Sequence, residues 1–482
     1  MGKNKSRIRV MFGHNSEEVT GSYTLIECGQ SGKKILADYG LIQENLSILK
    51  EYQANAKRPS FKEKELTYIF ATHSHIDHIG RIASLFKHGC TAPIIMPIGA
   101  KAIFKEMCLD SANILERNAL DLSKKAKRDY QPIYTKEDVY AILDYVREYP
   151  VGEKIKLDED ITFKLSYNGH IFKSVSVTLW IKNGAQTRKI VITGDIGNLA
   201  IPQKFTEEFE PFENCNLLVG ECTYAGDRHS ATLKDREKDL EKLRATITST
   251  CQDRGGKVLI PTSAFGRSPT MLATLYDLFY EDSINGKFDI PIIYASPLGA
   301  KLLNIYKEEL EGEEAEYFKR VLSWKNLKIY NSFESLEEEL KEDKPKIFCA
   351  PSGMMSAGYS VYIASQLLPR SNNCIIFCGY SAEGTLSWKI KQKKTKTITI
   401  DGKAIHSRCQ VTNLTSFSSH IQNKELIDLY SCKNGAQYDK IALVHANYKD
   451  KVAFTQKVQE ELAKRGSATR IICVNKSTEI TL

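Results

Sequence analysis

The segment 73–78, with the sequence HSHIDH, concentrates four side chains that can bind a metal ion. Imidazole and carboxylate ligands without sulfur suit zinc, and also manganese or iron. Four such donors in one turn seldom fit around a single ion, so the spacing favours two ions. We expect His73 and His75 to face one ion, and Asp77 and His78 to face the other. A polar loop whose histidines only bind the backbone is the weaker interpretation.

Further residues with the same chemistry are scattered along the chain. Each of them follows an apolar run of strand length or lies in a Gly- and Ser-rich segment. From such positions a side chain can reach a shared cleft. They are Asp38, His170, Asp195, His420 and His445. Any one of them alone is better explained as a polar residue whose hydrogen bonds are made within the protein. The whole set, in contrast, indicates shared metal chemistry.

Composition excludes several classes of protein. The 482 residues are 42% hydrophobic and 26% charged, as in globular chains rather than disordered or fibrous ones. No apolar stretch approaches the roughly 20 residues that cross a bilayer. The basic N-terminal segment is not followed by the apolar core of a secretory signal peptide. The 12 cysteines are scattered without a Cys-x-x-Cys pair, which fits buried thiols in a reducing cytoplasm. The formal charge of +8 permits a polyanionic partner without requiring one.

Short strands are predicted to position the first of these residues. Apolar runs broken by Gly, Asn and Ser predict them at 8–12, 23–26, 34–37, 68–71, 161–165, 175–179 and 189–192. Between about 98 and 147 the spacing of apolar residues is helical. Asn183-Gly184 predicts a hairpin turn, with a loop longer than two residues.

The middle of the chain has a different pattern of apolar residues. Helical patterns at 233–250 and 268–280 alternate with apolar runs of strand length. These runs span 258–260, 292–294, 346–350 and 374–377. Buried strands that alternate with helices predict a mostly parallel α/β sheet.

The motifs together resemble those of metallo-β-lactamase-fold hydrolases of the β-CASP subgroup, the nucleases that process RNA. In chain order they are Asp38, the segment 73–78, His170 and Asp195 for the metallo-β-lactamase fold, then Glu221, His420 and His445 for β-CASP. The stretches 259–267, 350–355 and 379–385 agree as well. The resemblance covers nearly the whole chain.

The resemblance implies an α/β fold, namely a four-layer αββα metallo-β-lactamase sandwich with an inserted α/β β-CASP domain. The sandwich would span 1–225 and 398–482, and the β-CASP domain 226–397. In layout the chain resembles compact bacterial and archaeal relatives of the cleavage and polyadenylation endonuclease subunit. Because the last predicted strand lies near residue 482, we expect no counterpart of the C-terminal domain of RNase J.

Roles for single residues follow from the resemblance. One zinc ion would be held by His73, His75 and His170, the other by Asp77, His78 and His445, with Asp195 bridging both. Asp38 would support this cluster, Glu221 would hold His420, and His420 would be the general acid. The implied catalytic set is therefore Asp77, His420, Glu221 and Asp38. A bridging hydroxide would attack the phosphodiester, giving 5′-phosphate and 3′-hydroxyl ends.

Candidate substrate-binding residues lie in Gly- and Ser-rich turns. Ser352-Gly353-Met354 follows a predicted strand, and backbone N–H groups in such a turn can hold a phosphate. A tight turn before a helix is the alternative interpretation. Ser381 lies in a similar turn, and Arg267 could contact the nucleic acid backbone, although an arginine at a helix start is often only solvated.

His445 bears on the substrate, because RNA-acting members of the subgroup have His at this motif whereas DNA-acting relatives usually have Val. The resemblance therefore implies a zinc-dependent ribonuclease, with Mn²⁺ as the alternative metal, acting on single-stranded RNA internally or from the 5′ end. Three alternatives stay open: a metallo-hydrolase of small thioesters or lactams, a DNA nuclease, and an inactive RNA-binding scaffold subunit. A membrane partner is not expected, and a homodimer is compatible because dimers are common among relatives.

Three motifs depart from the family's usual pattern. Lys173 stands where Gly is typical, Gln422 stands where Asp is frequent, and Ala446-Asn447 replaces Gly-Glu. None of these changes removes a metal ligand, so they bear on substrate preference and rate rather than on the metal site.

Overall fold

The computed structural model describes residues 7–13, 16–43, 47–226, 230–392 and 396–482. The chain divides into two units. The first unit comprises Met1–Pro202, Thr206–Ser230 and His420–Leu482. The second unit comprises Gln203–Phe205 and Ala231–Ser419.

The first sheet of the first unit has seven strands. They are β1 (Ile8–Phe12), β2 (Thr24–Cys28), β3 (Lys34–Ala37), β4 (Leu66–Phe70), β5 (Ile94–Pro97), β6 (Val146–Tyr149) and β22 (Glu479–Thr481). Their spatial order is β22-β1-β2-β3-β4-β5-β6. Strands β3, β4, β5 and β6 run parallel. Because the carboxyl ends of parallel strands share one edge, Asp38 after β3 and His73 after β4 lie at the same edge.

The second sheet of this unit also has seven strands. They are β7 (Lys154–Lys156), β8 (Ile161–Tyr167), β9 (Val175–Asn183), β10 (Gln186–Ile192), β11 (Cys215–Glu221), β20 (Tyr438–Val444) and β21 (Arg470–Cys473). Their spatial order is β21-β20-β11-β10-β9-β8-β7. β10, β11 and β20 are parallel neighbours. Asp195, Glu221 and His445 therefore come to one edge, although they lie far apart in sequence.

The two sheets pack face to face around an apolar core. Ile8, Ile26 and Phe70 of the first sheet meet Phe163 and Val177 of the second, all of them buried. Helices α1 (Ile48–Ala56), α2 (Ile76–Ile79), α3 (Ile82–Lys87), α4 (Ala100–Ala126) and α5 (Lys136–Ile142) connect strands of the first sheet. Helix α4 packs on β5 and β6. Helices α13 (Asn423–Tyr430) and α14 (Tyr448–Lys464) bury their apolar faces against the second sheet. This arrangement confirms the predicted four-layer αββα sandwich.

The second unit is built on a parallel sheet. Its strands are β12 (Lys257–Pro261), β13 (Ile292–Ala295), β14 (Leu327–Tyr330), β15 (Lys346–Ala350), β16 (Cys374–Phe377) and β19 (Gln410–Asn413). They lie in the order β14-β13-β15-β12-β16-β19, with every pairing parallel. Its helices are α6 (Leu233–Ile247), α7 (Arg267–Ile284), α8 (Pro297–Glu309), α9 (Gly312–Leu322), α10 (Phe333–Lys341), α11 (Tyr359–Leu367) and α12 (Leu386–Gln392). A separate hairpin consists of β17 (Thr397–Ile400) and β18 (Lys403–His406).

Three local expectations differ from the structure. The hairpin at Asn183 has a loop of only Gly184 and Ala185, because Asn183 pairs with Gln186. The end of the predicted helical region forms β6, since Val146 pairs in parallel with Ile94 of β5. The second unit extends to Ser419 rather than to the predicted 397, because β19 completes its sheet by pairing with β16.

Within the described part of the chain, no helix combines the length and the apolar character that a membrane span requires.

Candidate metal centre and active site

The first group of metal donors is formed mainly by imidazoles. His73, His75, His170 and Asp195 each offer a ligand atom, and these atoms lie within 4.8 Å of one another. His170 Nε2 is 3.4 Å from His75 Nδ1. His73 Nε2 and His170 Nε2 each lie 3.7 Å from Asp195 Oδ2. Three imidazoles and one carboxylate converging in this way form a donor set that suits zinc.

The second group of metal donors lies beside the first. Its members, Asp77, His78 and His445, also bring their ligand atoms within 4.8 Å of one another. The Nε2 atoms of His78 and His445 are 3.3 Å apart, and Asp77 Oδ2 is 3.5 Å from His445 Nε2. Helix α2 begins directly after His75 and carries Asp77 and His78, so a single turn supplies both groups. This is the same division of the segment 73–78 that the spacing predicted.

Asp195 lies between the two groups. Its Oδ2 faces His73 and His170, as described above, whereas its Oδ1 is 3.2 Å from His78 Nε2. Burial alone would raise the pKa of Asp195, but His445 and His78 beside it hold that pKa well below its ordinary value. An ionised carboxylate with one oxygen toward each group can bridge two cations.

Asp38 orients the cluster from outside it. It is buried and accepts hydrogen bonds at Oδ1 from the Thr72 backbone N–H and at Oδ2 from the Thr72 hydroxyl, each at 2.8 Å. His78 Nδ1 is also 2.8 Å from Asp38 Oδ2. Such a contact fixes the imidazole ring and leaves His78 Nε2 to face the second group.

The first-group imidazoles are held in the form that binds metals. Burial lowers the pKa of His73 and of His170 well below the ordinary value. Burial also lowers the pKa of His75 to about 4. Neutral imidazole is the metal-binding form, so no proton has to be displaced from these rings near neutral pH.

The residues fit the metal ions that the donor chemistry implies. His73 Nε2 is buried without a hydrogen-bond partner among the described residues. A buried polar atom left unpaired costs about 1–3 kcal/mol, which a metal–ligand bond at that atom would offset. The Nε2 atoms of His78 and His445 also face each other at close range. The structure therefore provides donors suited to more than one ion.

His420 and Glu221 form a further pair at the same edge. The backbone of His420 forms a bridge with Gly197, and its Nδ1 is 3.4 Å from Glu221 Oε1. Burial would lower the pKa of His420, but the hydrogen bond and the charge of Glu221, with Asp195 nearby, raise that pKa above its ordinary value. Glu221 Oε1 also accepts from the Ile196 backbone N–H at 2.7 Å. Together with Asp195, these residues could hold a cation by distance alone, but the oxygens of Glu221 already accept hydrogen bonds.

The departures from the family pattern have local structural roles. Lys173 has a positive φ of 59°, a conformation that favours glycine, and its backbone N–H donates to Glu207 Oε2 at 3.0 Å. Gln422 forms a reciprocal cap at the start of α13 and donates from Nε2 to Asn198 Oδ1 at 3.2 Å. Asn447 precedes the first residue of α14. Lys173 and Gln422 therefore support the chain next to the site rather than replace a ligand.

The candidate substrate-binding residues all lie in the second unit. They follow β12, β15 and β16, which are neighbours in the parallel sheet. Arg267 is the first residue of α7, and its Nη1 donates to the Cys378 carbonyl at 2.7 Å. Its side chain therefore has a structural role. Ser352 Oγ accepts from the Ser356 N–H at 3.0 Å, within a turn that leads into α11. Both alternatives that the sequence left open, a phosphate-binding turn and a tight turn before a helix, are compatible with this geometry.

Ser381 and Met354 differ from the other candidates in having side chains without a clear structural role. Ser381 Oγ is buried and has no hydrogen-bond partner within the described ranges. The Met354 backbone carbonyl accepts from the Ser387 N–H at 3.3 Å, while the residue remains 40% exposed. The backbone of Gly353 lies against Thr262 and Ser263, since a Cβ there would be 3.5 Å from both. The three turns thus contact one another at the carboxyl edge of the sheet, where α/β proteins commonly bind ligands.

Sequence reasoning missed three residues that shape the first-unit site. Thr72 and Thr223 hydrogen-bond the carboxylates of Asp38 and Glu221. Gly40 packs so closely on the metal-binding turn that a Cβ would lie 1.5 Å from the Asp77 carbonyl oxygen. Only their positions close to the motifs could have indicated them.

Comparisons with known proteins agree with this architecture. The model of the metallo-β-lactamase superfamily matches residues 17–112, and the model of the Beta-Casp domain matches residues 270–390. The chain thus contains a region of the metallo-β-lactamase superfamily and a Beta-Casp domain. The resemblance seen in the motifs is thereby confirmed.

Several curated proteins are similar to this chain over most of its length. Transcription termination factor FttA of Methanocaldococcus jannaschii is 27% identical over 95% of this chain and 70% of its own. Ribonuclease TTHA0252 of Thermus thermophilus is 27% identical over 86% of this chain and 88% of its own. Cleavage and polyadenylation specificity factor subunit 3-II of Arabidopsis thaliana is 25% identical over 90% of this chain and 67% of its own.

Proposed function

We propose that this chain is a metal-dependent ribonuclease that hydrolyses phosphodiester bonds of single-stranded RNA. The observation that carries the proposal is Asp195, whose two oxygens face two separate groups of buried metal donors. Two such groups beside a histidine–carboxylate pair are suited to phosphodiester hydrolysis. Zinc is the proposed metal, because imidazoles dominate the first group, and Mn²⁺ is the alternative.

The proposed assignment of ligands follows the two groups. His73, His75 and His170 would hold one ion, Asp77, His78 and His445 the other, and Asp195 both. When bound, the ions would supply an activated water as nucleophile and neutralise charge that develops on the phosphate. Asp38 would keep His78 oriented, since it already accepts from that ring.

His420 is proposed as the general acid. Its Nδ1 faces Glu221, so Nε2 is the ring atom proposed to deliver the proton. The leaving 3′-oxygen of RNA is a poor leaving group, so protonation by His420 would favour bond cleavage. The expected products carry a 5′-phosphate and a 3′-hydroxyl.

An active RNA nuclease is favoured over the alternatives by the β-CASP domain, by the names of similar proteins and by the full set of candidate metal ligands. A hydrolase of small thioesters or lactams has no evident use for the β-CASP domain at 270–390. Two of the similar proteins carry ribonuclease or endoribonuclease in their names, Ribonuclease TTHA0252 and Endoribonuclease ysh1 of Schizosaccharomyces pombe. An inactive scaffold would be expected to lack ligands, whereas all seven candidate ligands converge here.

The test uses a 5′-labelled single-stranded RNA and DNA of equal sequence. We expect the RNA to be cut, the DNA to be spared, and activity to disappear after metal is stripped and to return with Zn²⁺. The Asp77→Ala, His78→Ala double variant serves as the control for contaminating nucleases. Internal fragments would indicate endonuclease action, and a released labelled mononucleotide would indicate 5′-exonuclease action. Metal-loaded protein that cuts neither strand would overturn the proposal.

Ser381→Ala is predicted to weaken RNA binding without weakening the fold. If Ser381 Oγ donates to a phosphate oxygen, its loss should raise KM about tenfold or more, with little change in kcat. The midpoint of thermal unfolding should not fall, because Ser381 Oγ is buried without a hydrogen-bond partner in the described structure. Ser365→Ala on α11 is the matched control, since that hydroxyl makes local contacts, donating to the Tyr362 carbonyl and accepting from Gln366 Nε2. An unchanged KM would remove Ser381 from the substrate site.

A further inference from the structure

The Thr223 hydroxyl lies between the second donor group and the candidate acid pair. Thr223 Oγ1 is 2.8 Å from His445 Nδ1 and is also hydrogen-bonded to Glu221 Oε2. The Thr223 backbone N–H donates to the same Glu221 oxygen at 2.9 Å. One side chain therefore contacts both a candidate metal ligand and the carboxylate that faces His420.

The number of available protons fixes the direction of these hydrogen bonds. Glu221 accepts from backbone N–H groups at both of its oxygens, so it acts as a carboxylate acceptor. The Thr223 hydroxyl has only one proton, and its bond to Glu221 uses that proton. Thr223 Oγ1 must then accept at His445, which requires the proton of the neutral His445 ring to be on Nδ1.

This direction leaves His445 Nε2 as a lone pair that faces the second donor group. The other ring of the group has the same orientation, because His78 Nδ1 lies 2.8 Å from Asp38 Oδ2 and its Nε2 lies 3.3 Å from His445 Nε2. A lone pair on His445 Nε2 at this position is available to a metal ion, so this tautomer prepares the group for one.

In the first donor group, the Thr72 hydroxyl makes the equivalent contacts to a carboxylate and to an imidazole. Its hydroxyl donates to Asp38 Oδ2 at 2.8 Å, and its Oγ1 is 3.1 Å from His73 Nδ1. By the same proton count His73 carries its proton on Nδ1. Its Nε2 is then a lone pair, and that is the buried atom without a hydrogen-bond partner in the described residues.

We propose that Thr72 and Thr223 are positioning residues that set the tautomers of His73 and His445, one in each donor group. In each case the hydroxyl gives its proton to a buried carboxylate and accepts from Nδ1 of the ring, which leaves Nε2 available to a metal ion. The inference rests on the metal centre of the proposed function, but it does not depend on RNA being the substrate.

The first experiment compares Thr→Val with Thr→Ser at each position. Valine keeps the shape of threonine without the hydroxyl, whereas serine keeps the hydroxyl, so only the valine variants should lose affinity. We expect Thr72→Val and Thr223→Val each to weaken binding of one Zn²⁺ about 10- to 100-fold in competition with a chromophoric chelator. Both serine variants should stay close to the parent. Equal Zn²⁺ affinity in the parent and both folded valine variants, or valine-like loss in the serine variants, would overturn the proposal.

The second experiment reads the tautomers in the parent protein itself, needs no activity, and uses variants only to assign the signals. Ring ¹⁵N spectra of the Zn²⁺-loaded parent with labelled histidine should show His73 and His445 protonated at Nδ1 and metal-bound at Nε2. Single His→Asn variants assign the signals. A proton on Nε2 of either ring would refute the inference. A parent with these tautomers that cuts no RNA would count against the proposed function and leave this inference standing.

Discussion

Asp195→Asn is expected to lower kcat/KM for single-stranded RNA at least about a thousand-fold, because metal assistance contributes several kcal/mol to the stabilisation of the transition state. Asparagine keeps the size of the side chain but removes its charge. Its amide NH₂ would also point hydrogen atoms toward one of the two donor groups. Since Asp195 Oδ2 faces His73 and His170 while Oδ1 faces His78, either orientation of the amide damages one group.

Metal analysis separates this effect from misfolding. We expect the Asp195→Asn protein to retain fewer than two tightly bound metal ions per chain while unfolding as cooperatively as the parent. Asp428→Asn is the matched control, because Asp428 lies on α13 and pairs only with the exposed Lys433. Full metal content with near-parent activity in Asp195→Asn would refute the bridging role.

The sequence was informative about the site where polar residues end apolar strands. Asp38, Asp195 and His445 each follow such a strand closely, and parallel pairing brings the strand ends to common edges. The strand positions therefore indicated that these residues could reach a shared cleft. The pairings that bring them together link distant parts of the chain, such as β11 with β20, and the resemblance rather than periodicity indicated them.

Features without an apolar signature were not predictable. Strand β19, with the sequence QVTN, has no apolar run, and it exists because it pairs with β16. The second unit therefore extends past residue 397, where the β-CASP domain was predicted to end. Thr72 and Thr223 were missed because a threonine beside a motif looks the same in sequence whether its hydroxyl faces solvent or a buried carboxylate.

Lys173 illustrates a departure that sequence could detect but not explain. The family's usual glycine suits a positive φ, and Lys173 adopts that conformation at 59°. Its backbone N–H is held by Glu207, and its Nζ lies 3.7 Å from the same carboxylate. The turn after His170 is thus retained with a different residue, supported by contacts that only the structure reveals.

His420→Ala is expected to lower kcat on RNA about 10² to 10⁴-fold while both metal ions stay bound, since that is the usual contribution of a general acid. His420 lies outside the two groups of proposed ligands, although its Nδ1 is 4.0 Å from Asp195 Oδ2. Removing its ring should therefore spare the metal content. His88→Ala is the control, because His88 is an exposed histidine after α3.

A substrate with a better leaving group tests the assigned role directly. In RNA with a 3′-bridging sulfur at the cleavage site, the leaving thiolate needs no proton. We expect the parent to gain little from this change and His420→Ala to recover most of its lost rate. A ring that only binds substrate or supports Glu221 would leave the variant equally impaired on both RNAs. Equal impairment would therefore move His420 from proton donor to positioning residue, whereas selective recovery would link the Glu221–His420 pair to the leaving oxygen.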